Sequence, residues 1–592
     1  MMHGSVENGK SGGKHLRVEF RPVEPGERWL ICQEASDERY DFALIGDLLP
    51  REGGFRASGA SPAKSVLDGY RRDGLAFFAG LNGSFAVAIL DRISGELLLV
   101  RDHLGVEPLY YRLGEDGRIE FGTSLRALAA GTSLPEGLNF KGLTTYLLLN
   151  YNPSEETLID GIRKVPPGYA LHIRGQEARK ECYWRPDFGE KLTAGLEELV
   201  EALREQMDRA VRLRVAEDRA LGVSVSGGMD SSTVTAFVRR YYRDALRAFS
   251  FRCAVESYDE SHYAALVARH YGAVYEQVEY TPERALEAAE MVSHMDEPQA
   301  DLGIEVATYL LGRHAEGKVD LLLTGDGGDE LFAGHPVYLA DRAARAWERV
   351  PAPFRRPVVW FASLLPESHK KASFRVKLKR FVQGQQFPRQ FHSNRWRLYY
   401  TSDSLRQLLT PQAWERTGES HRLEWLRDLY RSLPWPEELD RALFGDYFTV
   451  VQFYLRRLSL LRAFGIQARC PLLDPELVQF CARIPAEFKI PSSREQKFIQ
   501  KKAMEGILPD AIVHRKDKLG HSVPMRKWLR EANPLSEAVR SMLLADPRLV
   551  SWGLVRPAAL EEMFEEYRKG TRDHSHRIWA LYVLELWLRS WE

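Results

Sequence analysis

The chain has 592 residues, 44% of them hydrophobic and 28% charged, which suits several folded domains and excludes a disordered or fibrous protein. Lysine plus arginine and aspartate plus glutamate both number 82, so no global charge recruits nucleic acid or a membrane surface. The cysteines are scattered, and neither a secretory signal nor an apolar run of roughly eighteen residues is present, which predicts a cytoplasmic protein without a membrane span.

The first part of the chain is predicted to be rich in β-structure. Residues 1–15 are rich in Gly, Ser and Lys and predict a flexible tail, and a first domain follows over 16–190. Short apolar segments bounded by turn residues predict strands at 85–90, 96–100 and 169–173.

A second domain, predicted over 191–592, has a different pattern in which short apolar strands alternate with amphipathic helices. Such alternation indicates a parallel sheet with helices on its faces. The predicted elements are strands at 220–225, 247–252 and 319–323 and helices at 230–242 and 260–271. From about 335 to 592 the pattern is mostly helical, and we interpret this part as an extension of the second domain.

A loop rich in serine and glycine joins the first of these strands to its helix. It consists of Ser226, Gly227, Gly228, Met229, Asp230, Ser231 and Ser232. Glycines let backbone N–H groups approach an anion, and the helix that follows adds its positive end. Asp230 would repel a phosphate unless a divalent cation lay between them, so we interpret it as a magnesium ligand. The plainer alternative is a glycine-rich turn capped by serine.

A second loop follows the strand at 319–323 and carries Gly325, Asp326, Asp329 and Glu330. Parallel strands end at the same edge of a sheet, so the two loops are expected to face each other where open α/β folds bind ligands. Metal coordination would relieve the repulsion among the three carboxylates. Alone, the loop fits an acidic turn; with the first, it predicts half of a magnesium–ATP site.

These motifs resemble those of the asparagine synthetase family over nearly the whole chain. The matching segments are 226–232, 295–298, 325–330, 465–474 and 518–524. The resemblance implies an α/β fold of the adenine-nucleotide alpha-hydrolase type with a helical C-terminal part. Before it, the resemblance implies an α+β sandwich of the N-terminal nucleophile type, similar to a glutaminase but degenerate.

The resemblance also implies roles for individual residues. Asp230 and Asp329 would hold Mg²⁺, Asp326 would lie at the reacting carboxylate, and Lys518 would neutralise charge at the adenylate. Contacts to ATP are implied for Ser226, Gly227, Gly228, Asp230, Ser231, Ser232, Ser250, Phe251 and Gly325. The implied chemistry is adenylation of a carboxylate, followed by attack of an amine and release of AMP.

The N-terminal part resembles the glutaminase domain of the family at 81–86 and 101–111, but the glutaminase chemistry is missing. The nucleophile of that domain is a cysteine in a place that here holds Met2 or His3, and the first cysteine is Cys32. An Asn-Gly-Glu contact to glutamine is replaced by residues 45–47, and a Ser-Asp-x-Glu segment by residues 61–64. The domain is therefore expected to be an inactive structural partner.

Without an internal ammonia source the amine must come from elsewhere, most simply from the substrate. This describes the cyclising branch of the family, the β-lactam synthetases and the lasso peptide cyclases. β-Lactam enzymes have a tyrosine at the position of Asp326, which counts against that branch. A peptide α-amine has a pKa of about 7.7–8.0 and needs no strong base near neutral pH.

The leading hypothesis is thus an ATP- and Mg²⁺-dependent lasso peptide cyclase. It would join an Asp or Glu side chain of a precursor core peptide to the N-terminal amine of that peptide, releasing AMP and pyrophosphate. A leader peptidase and a leader-binding protein are the implied partners. Two alternatives stay open: an amide ligase like asparagine synthetase or β-lactam synthetase, and a non-catalytic scaffold that binds a peptide.

Two further features bear on the substrate. Residues 345–397 contain thirteen basic side chains, which fit either solvated helix faces or a docking surface for an acidic peptide or partner. Where the family often has Lys-x-Asp-Arg, residues 456–459 are Arg-Arg-Leu-Ser, and His521 replaces a usual aromatic residue. Both departures are compatible with an altered acceptor pocket.

Overall fold

The computed structural model describes residues 1–8, 14–20, 31–49, 61–134, 136–253, 255, 259–364, 374–492, 495–517 and 523–592.

The N-terminal domain contains eleven described strands and four described helices. The strands are β1 Met2–Asn8, β2 Lys14–Phe20, β3 Ile31–Ser36, β4 Tyr40–Leu49, β5 Asn82–Asp91, β6 Glu96–Arg101, β7 Tyr110–Leu113, β8 Ile119–Gly122, β9 Ile162–Lys164, β10 Tyr169–Arg174 and β11 Glu177–Cys182. The helices are α1 Pro62–Asp73, α2 Leu75–Ala79, α3 Leu125–Leu128 and α4 Phe140–Leu149. The three strands predicted from the sequence, β5, β6 and β10, are confirmed.

The strands form two antiparallel sheets that pack face to face. One sheet has the order β2-β1-β8-β7-β9 and the other β11-β10-β6-β5-β4-β3. Alternate residues of each strand point into a shared apolar core, which includes Val6, Ile45, Leu99 and Phe121. Helices α1 and α2 cover the outer face of the second sheet. The predicted α+β sandwich is confirmed.

The expected flexible tail over residues 1–15 is wrong for its described part. Strand β1 pairs with β2 and with β8, so its backbone hydrogen bonds are made inside the sheet. Met2 and Val6 are buried in the core between the sheets. Burial of these apolar side chains stabilises the strand, although the composition of the segment predicted a flexible tail. Residues 9–13 lie outside the described part.

The second domain is built on a five-stranded parallel sheet. Its strands are β12 Leu221–Ser224, β13 Arg247–Cys253, β14 Val274–Tyr280, β15 Leu321–Leu323 and β16 Gln467–Arg469, in the order β14-β13-β12-β15-β16. The three predicted strands correspond to β12, β13 and β15, which confirms the parallel α/β sheet. The sequence analysis missed β14 and β16. Strand β16 pairs with β15, so the chain returns to the sheet after a long helical excursion.

Helices flank this sheet and form most of the remaining chain. They are α5 Leu196–Arg212, α6 Met229–Tyr241, α7 Ser261–His270, α8 Ala288–Met291, α9 Ile304–Ala315, α10 Gly328–Phe332, α11 Pro336–Glu348, α12 Ala352–Leu364, α13 Phe374–Gly384, α14 Ser402–Leu408, α15 Pro411–Thr417, α16 Glu424–Arg431, α17 Glu438–Phe448, α18 Val450–Leu458, α19 Pro475–Arg483, α20 Ala486–Lys489, α21 Phe498–Met504, α22 Asp510–Val513, α23 Met525–Trp528, α24 Pro534–Leu544, α25 Arg548–Ser551, α26 Pro557–Lys569 and α27 Ser575–Arg589.

Shorter 3₁₀ turns lie between these helices. They are Arg284–Glu287, Val292–His294, Arg389–Arg397, Ser420–Arg422, Ser459–Phe464 and Pro471–Leu473. The two predicted helices correspond to α6 and α7 and are confirmed. Across the described ranges, no helix has both the length and the apolar character needed to cross a lipid bilayer.

A buried carboxylate, Asp474, connects the two domains. It accepts hydrogen bonds from Arg209 at 2.7 Å and Arg214 at 2.8 Å, and from Asn82 of the N-terminal domain at 2.9 Å. The same carboxylate caps α19, because it accepts from the backbone N–H groups of Glu476 and Leu477. Burial alone would raise the pKa of Asp474, but the charges of Arg214 and Arg209 hold it below its ordinary value. The carboxylate is therefore ionised and serves as a junction between the domains.

Replacing this carboxylate should be costly. Asp474→Asn would leave the buried Arg214 and Arg209 without a counter-charge, and we expect a loss of about 3–5 kcal/mol in unfolding free energy at pH 7. Because the folded-state pKa is lowered, this contribution is present above the unfolded pKa and is lost as pH falls, so the difference should shrink below about pH 4. Urea unfolding across pH measures it; Asp73→Asn, which breaks an exposed pair with Arg72, is the matched control. Equal effects of the two substitutions would contradict the prediction.

Candidate active site

The loop between β12 and α6 is folded tightly by its serines and glycines. Gly227 has a φ of 68°, and a Cβ there would lie 2.3 Å from the Cβ of Tyr263, so only glycine fits. The backbone N–H of Ser226 donates to Oγ of Ser231 at 3.1 Å, and that of Gly228 donates to Oγ of Ser226 at 3.3 Å. The loop therefore ends at the N-terminus of α6, the position from which a helix attracts an anion.

The second loop, between β15 and α10, lies directly against the first. A Cβ on Gly325 would come within 2.5 Å of the backbone nitrogen of Ser231, and one on Gly328 within 2.2 Å of a carboxylate oxygen of Asp230. Only glycine allows backbones to approach so closely. The two loops thus face each other at the carboxyl edge of the sheet, as the sequence predicted.

Both predicted magnesium ligands contact the ammonium group of Lys497. The sequence analysis did not single out this lysine. Nζ of Lys497 lies 2.6 Å from Oδ1 of Asp230, contacts the second oxygen of that carboxylate, and lies 2.6 Å from Oδ1 of Asp329. Gln500 also donates to Asp230, at 3.0 Å. Burial alone would lower the pKa of Lys497, but the charges of Asp230 and Asp329 outweigh it and raise the pKa above its ordinary value.

The residues present fit a magnesium ion that is shared with a phosphate ligand. Mg²⁺ is usually held by one or two carboxylates together with substrate phosphates and water. The carboxylates of Asp230 and Asp329 converge on one positive centre, Lys497. In the described part of the chain, no group of three or more His, Cys, Asp or Glu side chains forms a metal site by itself. The metal role of the two aspartates stays a prediction.

Asp326 is held by an arginine. Nη2 of Arg457 donates to Oδ1 of Asp326 at 2.6 Å, and both side chains are largely buried. Arg457 also lies over the ring of Tyr454, with 5.4 Å from its guanidinium carbon to the ring centroid. Asp326 and Arg457 both line the same cavity as the two loops.

That cavity has a volume of about 1430 Å³. Its wall includes seven of the predicted ATP-binding residues, namely Ser226, Gly228, Asp230, Ser231, Ser250, Phe251 and Gly325, and also Asp326 and Asp329. Ser250 and Phe251 lie near the end of β13, beside the phosphate loop. The predicted site residues are thus brought together in one space.

Two predicted residues are not brought to the cavity wall. The side chain of Ser232 is fully buried, and Gly227 instead offers its carbonyl to Arg515 at 3.0 Å. Successive residues of a helix point about 100° apart, so only one of the adjacent Ser231 and Ser232 faces the cavity. Neither Ser232 nor Gly227 is placed for a direct side-chain contact with a ligand.

Lys518 lies outside the described residues, so its predicted role stays a prediction. Residues on both sides of this gap, Lys516 and Val523, line the cavity. Arg515, which the sequence analysis did not single out, donates to the carbonyl of Gly227 and pairs with Glu260. The segment that leads to Lys518 is therefore attached to the phosphate loop.

Part of the basic segment at 345–397 is neutralised by ion pairs. Four of its arginines form ion pairs: Arg345 with Glu438, Arg389 with Glu348 and Glu438, Arg395 with Asp341, and Arg397 with Asp446. Lys379 and Arg380 face the cavity instead. Lys370 and Lys371 lie outside the described residues.

The place of the glutaminase site contains structural contacts. The side chain of Met2 is buried in the core, and β1 contains no cysteine. Asp47, at the position of a glutamine contact, forms a two-pronged ion pair with Arg469 of the second domain at 2.8 and 3.0 Å. Ser61, in the other replaced segment, caps α1. The space beside Asp47 measures only about 70 Å³, far below the roughly 300–1,000 Å³ of small-molecule sites.

Comparison with known proteins agrees with this architecture. Residues 202–589 match the asparagine synthase family, and residues 35–184 match the glutamine amidotransferase domain. The chain is 26% identical to a putative asparagine synthetase (glutamine-hydrolyzing) of Mycobacterium tuberculosis, over 97% of this chain and 86% of that protein.

Two further relatives extend the range of named activities. Asparagine synthetase (glutamine-hydrolyzing) 1 of Bacillus subtilis is 23% identical over 98% of this chain and 88% of its own length. Amidase chyE of Penicillium rubens is 24% identical over 89% of this chain and 82% of its own length.

Removing the ammonium of Lys497 should make the site depend on a divalent cation. In Lys497→Met the carboxylates of Asp230 and Asp329 would face each other without a compensating charge. Without added metal, we expect the free energy of unfolding to fall by about 3–5 kcal/mol. Mg²⁺ should then raise the melting temperature of the variant more than that of the wild type.

Thermal unfolding with EDTA and with added Mg²⁺ measures this difference. Lys501→Met, one turn further along α21 and 3.9 Å from its nearest carboxylate oxygen, is the matched control. An equal response to Mg²⁺ in all three proteins would refute the assignment of Asp230 and Asp329 as metal ligands.

Proposed function

The chain belongs to the asparagine synthase family, whose members are ATP-dependent amide-forming ligases, and from this premise we propose that it is a lasso peptide cyclase. It would adenylate an Asp or Glu side chain of a precursor core peptide and join the acyl group to the peptide's own N-terminal amine. The observation that carries the proposal is the contrast between the two sites. Most of the residues predicted to bind the nucleotide line one large cavity, whereas the described residues at the position of a glutaminase site include no cysteine and leave little room for glutamine.

The reaction has two steps. In the first, a carboxylate oxygen of the peptide attacks the α-phosphorus of ATP, an acyl–oxygen–phosphorus linkage forms, and pyrophosphate leaves. Ser226, Ser231 and the N-terminus of α6 would bind the phosphates. Magnesium held by Asp230 and Asp329 would offset the negative charge that develops on the leaving group. Lys497 would supply a further positive charge beside the same phosphates.

In the second step the peptide α-amine attacks the acyl carbonyl. The carbon–nitrogen bond forms, the bond from the carbonyl carbon to the AMP oxygen breaks, and the amine loses one proton. Oδ1 of Asp326 is engaged by Arg457, and its side chain lines the cavity, so its second oxygen would accept a hydrogen bond from the neutral amine and then the proton that the amine loses. An α-amine is partly neutral near pH 7, so a carboxylate that orients it suffices.

The size of the cavity supports a substrate larger than an amino acid. Its volume of about 1430 Å³ exceeds the roughly 300–1,000 Å³ of sites that hold one small molecule. The helices α11 to α13 and the 3₁₀ turn Arg389–Arg397 form the wall that lies beyond the nucleotide loops. A folded peptide and ATP would therefore occupy neighbouring parts of one space.

The arginines of the cavity differ in their partners. Four cavity arginines each pair with an aspartate: Arg395 with Asp341, Arg397 with Asp446, Arg457 with Asp326 and Arg526 with Asp573. Within the described ranges, Arg380 has no carboxylate at ion-pairing distance, and its exposed side chain lines the cavity. Such a guanidinium suits a carboxylate of the peptide.

The relatives support an alternative amine source, because two of them are named asparagine synthetases. In that case ammonia would replace the peptide amine, and aspartate would replace the peptide acid. The missing cysteine argues against glutamine as the ammonia source but not against free ammonia.

The reaction products test the proposal. Purified protein with ATP, Mg²⁺ and the candidate core peptide should release one AMP and one pyrophosphate for each peptide that loses one water, measured by chromatography and mass spectrometry. Asp230→Asn should lower the rate by at least about 100-fold while the melting temperature shows that the protein is folded. Formation of ADP would exclude adenylation, and asparagine formation from aspartate and ammonia without any macrolactam would favour the alternative.

Arg380 should determine the affinity for the peptide but not for ATP. Arg380→Gln removes a charge-assisted hydrogen bond worth about 1.5–3 kcal/mol, so KM for the peptide should rise about 10- to 100-fold while KM for ATP is unchanged. Lys377→Gln removes a charge from the same helix at an exposed position away from the cavity and is the matched control.

Two peptides identify the carboxylate that Arg380 binds. If Arg380 binds the C-terminal carboxylate, amidation of the peptide C-terminus should raise KM for the peptide in wild type as much as Arg380→Gln does. In Arg380→Gln the amidation should then change KM no further. If it is a side-chain carboxylate, the amidated peptide should behave like the free acid. Equal losses in Arg380→Gln and Lys377→Gln would contradict a role for Arg380 in the cavity.

A further inference from the structure

Helix α18 carries two adjacent arginines that contact different domains. Nη2 of Arg456 donates to the carbonyl oxygens of Gly105 at 2.6 Å and Val106 at 2.9 Å, both in the N-terminal domain. The next residue, Arg457, donates to Asp326 in the active-site cavity. Because successive side chains of a helix point about 100° apart, one helix connects the two places.

The N-terminal contact of this helix is a rigid loop, residues 102–107. The carboxylate of Asp102 accepts from the backbone N–H groups of Leu104 at 3.2 Å, Val106 at 2.9 Å and Glu107 at 2.8 Å. Arg101 donates to the carbonyl of Gly105 at 2.8 Å. The loop is therefore fixed by its own hydrogen bonds before it meets α18.

Two further side chains hold α18 and the turn after it to the same loop. Gln452 donates to the carbonyl of Leu104 at 2.8 Å. Arg462 forms a two-pronged ion pair with Glu107 at 2.6 and 3.0 Å. Glu107 is fully buried, which alone would raise its pKa, but Arg462 and Arg456 hold it below its ordinary value. The contacts span the helix from its first turn to the residues after its end.

The orientation of the Asp326 carboxylate depends on a partner outside its own loop. Asp326 lies between Gly325 and Gly327, and Gly327 has a φ of 95°. A loop with flanking glycines restricts its own backbone little. Arg457 is the described side chain that donates to the Asp326 carboxylate, so it sets the direction in which the free oxygen points.

We propose that Arg457 is a positioning residue for Asp326 and that the N-terminal domain, through the 102–107 loop, holds α18 where Arg457 reaches this carboxylate. The domain without glutaminase chemistry then has a direct task in amide formation. This inference rests on the proposed function, because Asp326 is assigned to the step in which the amine attacks. A displacement of a reacting group by about 1 Å can cost about 100-fold in rate, so small movements of α18 matter.

Substitution of Arg457 should affect the two steps unequally. In Arg457→Met, exchange of pyrophosphate into ATP with the core peptide should stay within about threefold of wild type, whereas kcat for ring formation should fall about 100-fold. Arg457→Lys retains the charge but only one contact, and should recover about tenfold of the lost rate. A purely structural role would lower both rates together, and that outcome would overturn the proposal.

Substitution of Arg456 tests the part played by the N-terminal domain. Arg456 does not contact Asp326. Arg456→Met should nevertheless lower the rate of ring formation about tenfold, whereas the rate of pyrophosphate exchange should be nearly unchanged. Asn82→Ala is the matched control, because Asn82 joins the domains through Asp474 and not through α18. It should lower the melting temperature without changing the ratio of the two rates. The same ratio in both variants would refute the link through α18.

The same measurements separate this inference from the proposed function. If wild type forms AMP with the peptide but transfers the acyl group to ammonia and closes no ring, the proposed function is wrong. Arg457→Met and Arg456→Met are then compared for amide formation from ammonia. With either amine, an equal loss of pyrophosphate exchange and of amide formation in these variants overturns the positioning role of Arg457. Melting temperatures, recorded for each variant, identify any protein that is unfolded at the assay temperature.

Discussion

The parallel pairing of β12 with β15 is the constraint on which the whole site depends. Leu221, Gly222 and Val223 pair in register with Leu321, Leu322 and Leu323, so both strands end at the same level. The loops that follow are short and lead directly into α6 and α10. The backbone of the second loop meets the first at Gly325, where any larger residue would collide with Ser231. Strand register, and not loop flexibility, therefore sets the distance between Asp230 and Asp329.

That geometry brings two carboxylates close together, and the positive charge of Lys497, a residue distant in sequence, offsets their repulsion. Two carboxylates in a partly buried site repel each other and would be driven towards protonation. Lys497 reaches both from the start of α21, so the site carries one compensating charge before any ligand is present. The remaining negative charge is what a divalent cation with a polyphosphate would satisfy. The same ammonium therefore stabilises the protein and sets the charge of the proposed nucleotide site.

The sequence predicted those parts of the site that lie in local motifs and failed where geometry depends on distant segments. The Ser226–Ser232 loop and Asp329 follow strands, so their meeting was predictable from the parallel alternation. Lys497 was missed because its position depends on a left-handed backbone, with a φ of 56°, just before α21. Arg456 and Arg457 were noted as departures from the family pattern, but their partners, Gly105 and Asp326, lie far away in the sequence.

The interface between the domains gives the N-terminal domain a structural role. Two of its carboxylates, Asp47 and Glu107, pair with Arg469 and Arg462 of the second domain, which lie in β16 and in the turn that follows α18. Loss of the N-terminal domain would remove both counter-charges and expose this edge of the parallel sheet to solvent. The pair of Asp47 with Arg469 lies at the position where the resemblance implies a contact to glutamine. The two pairs therefore hold the strand and the turn of the second domain that lie next to the first domain.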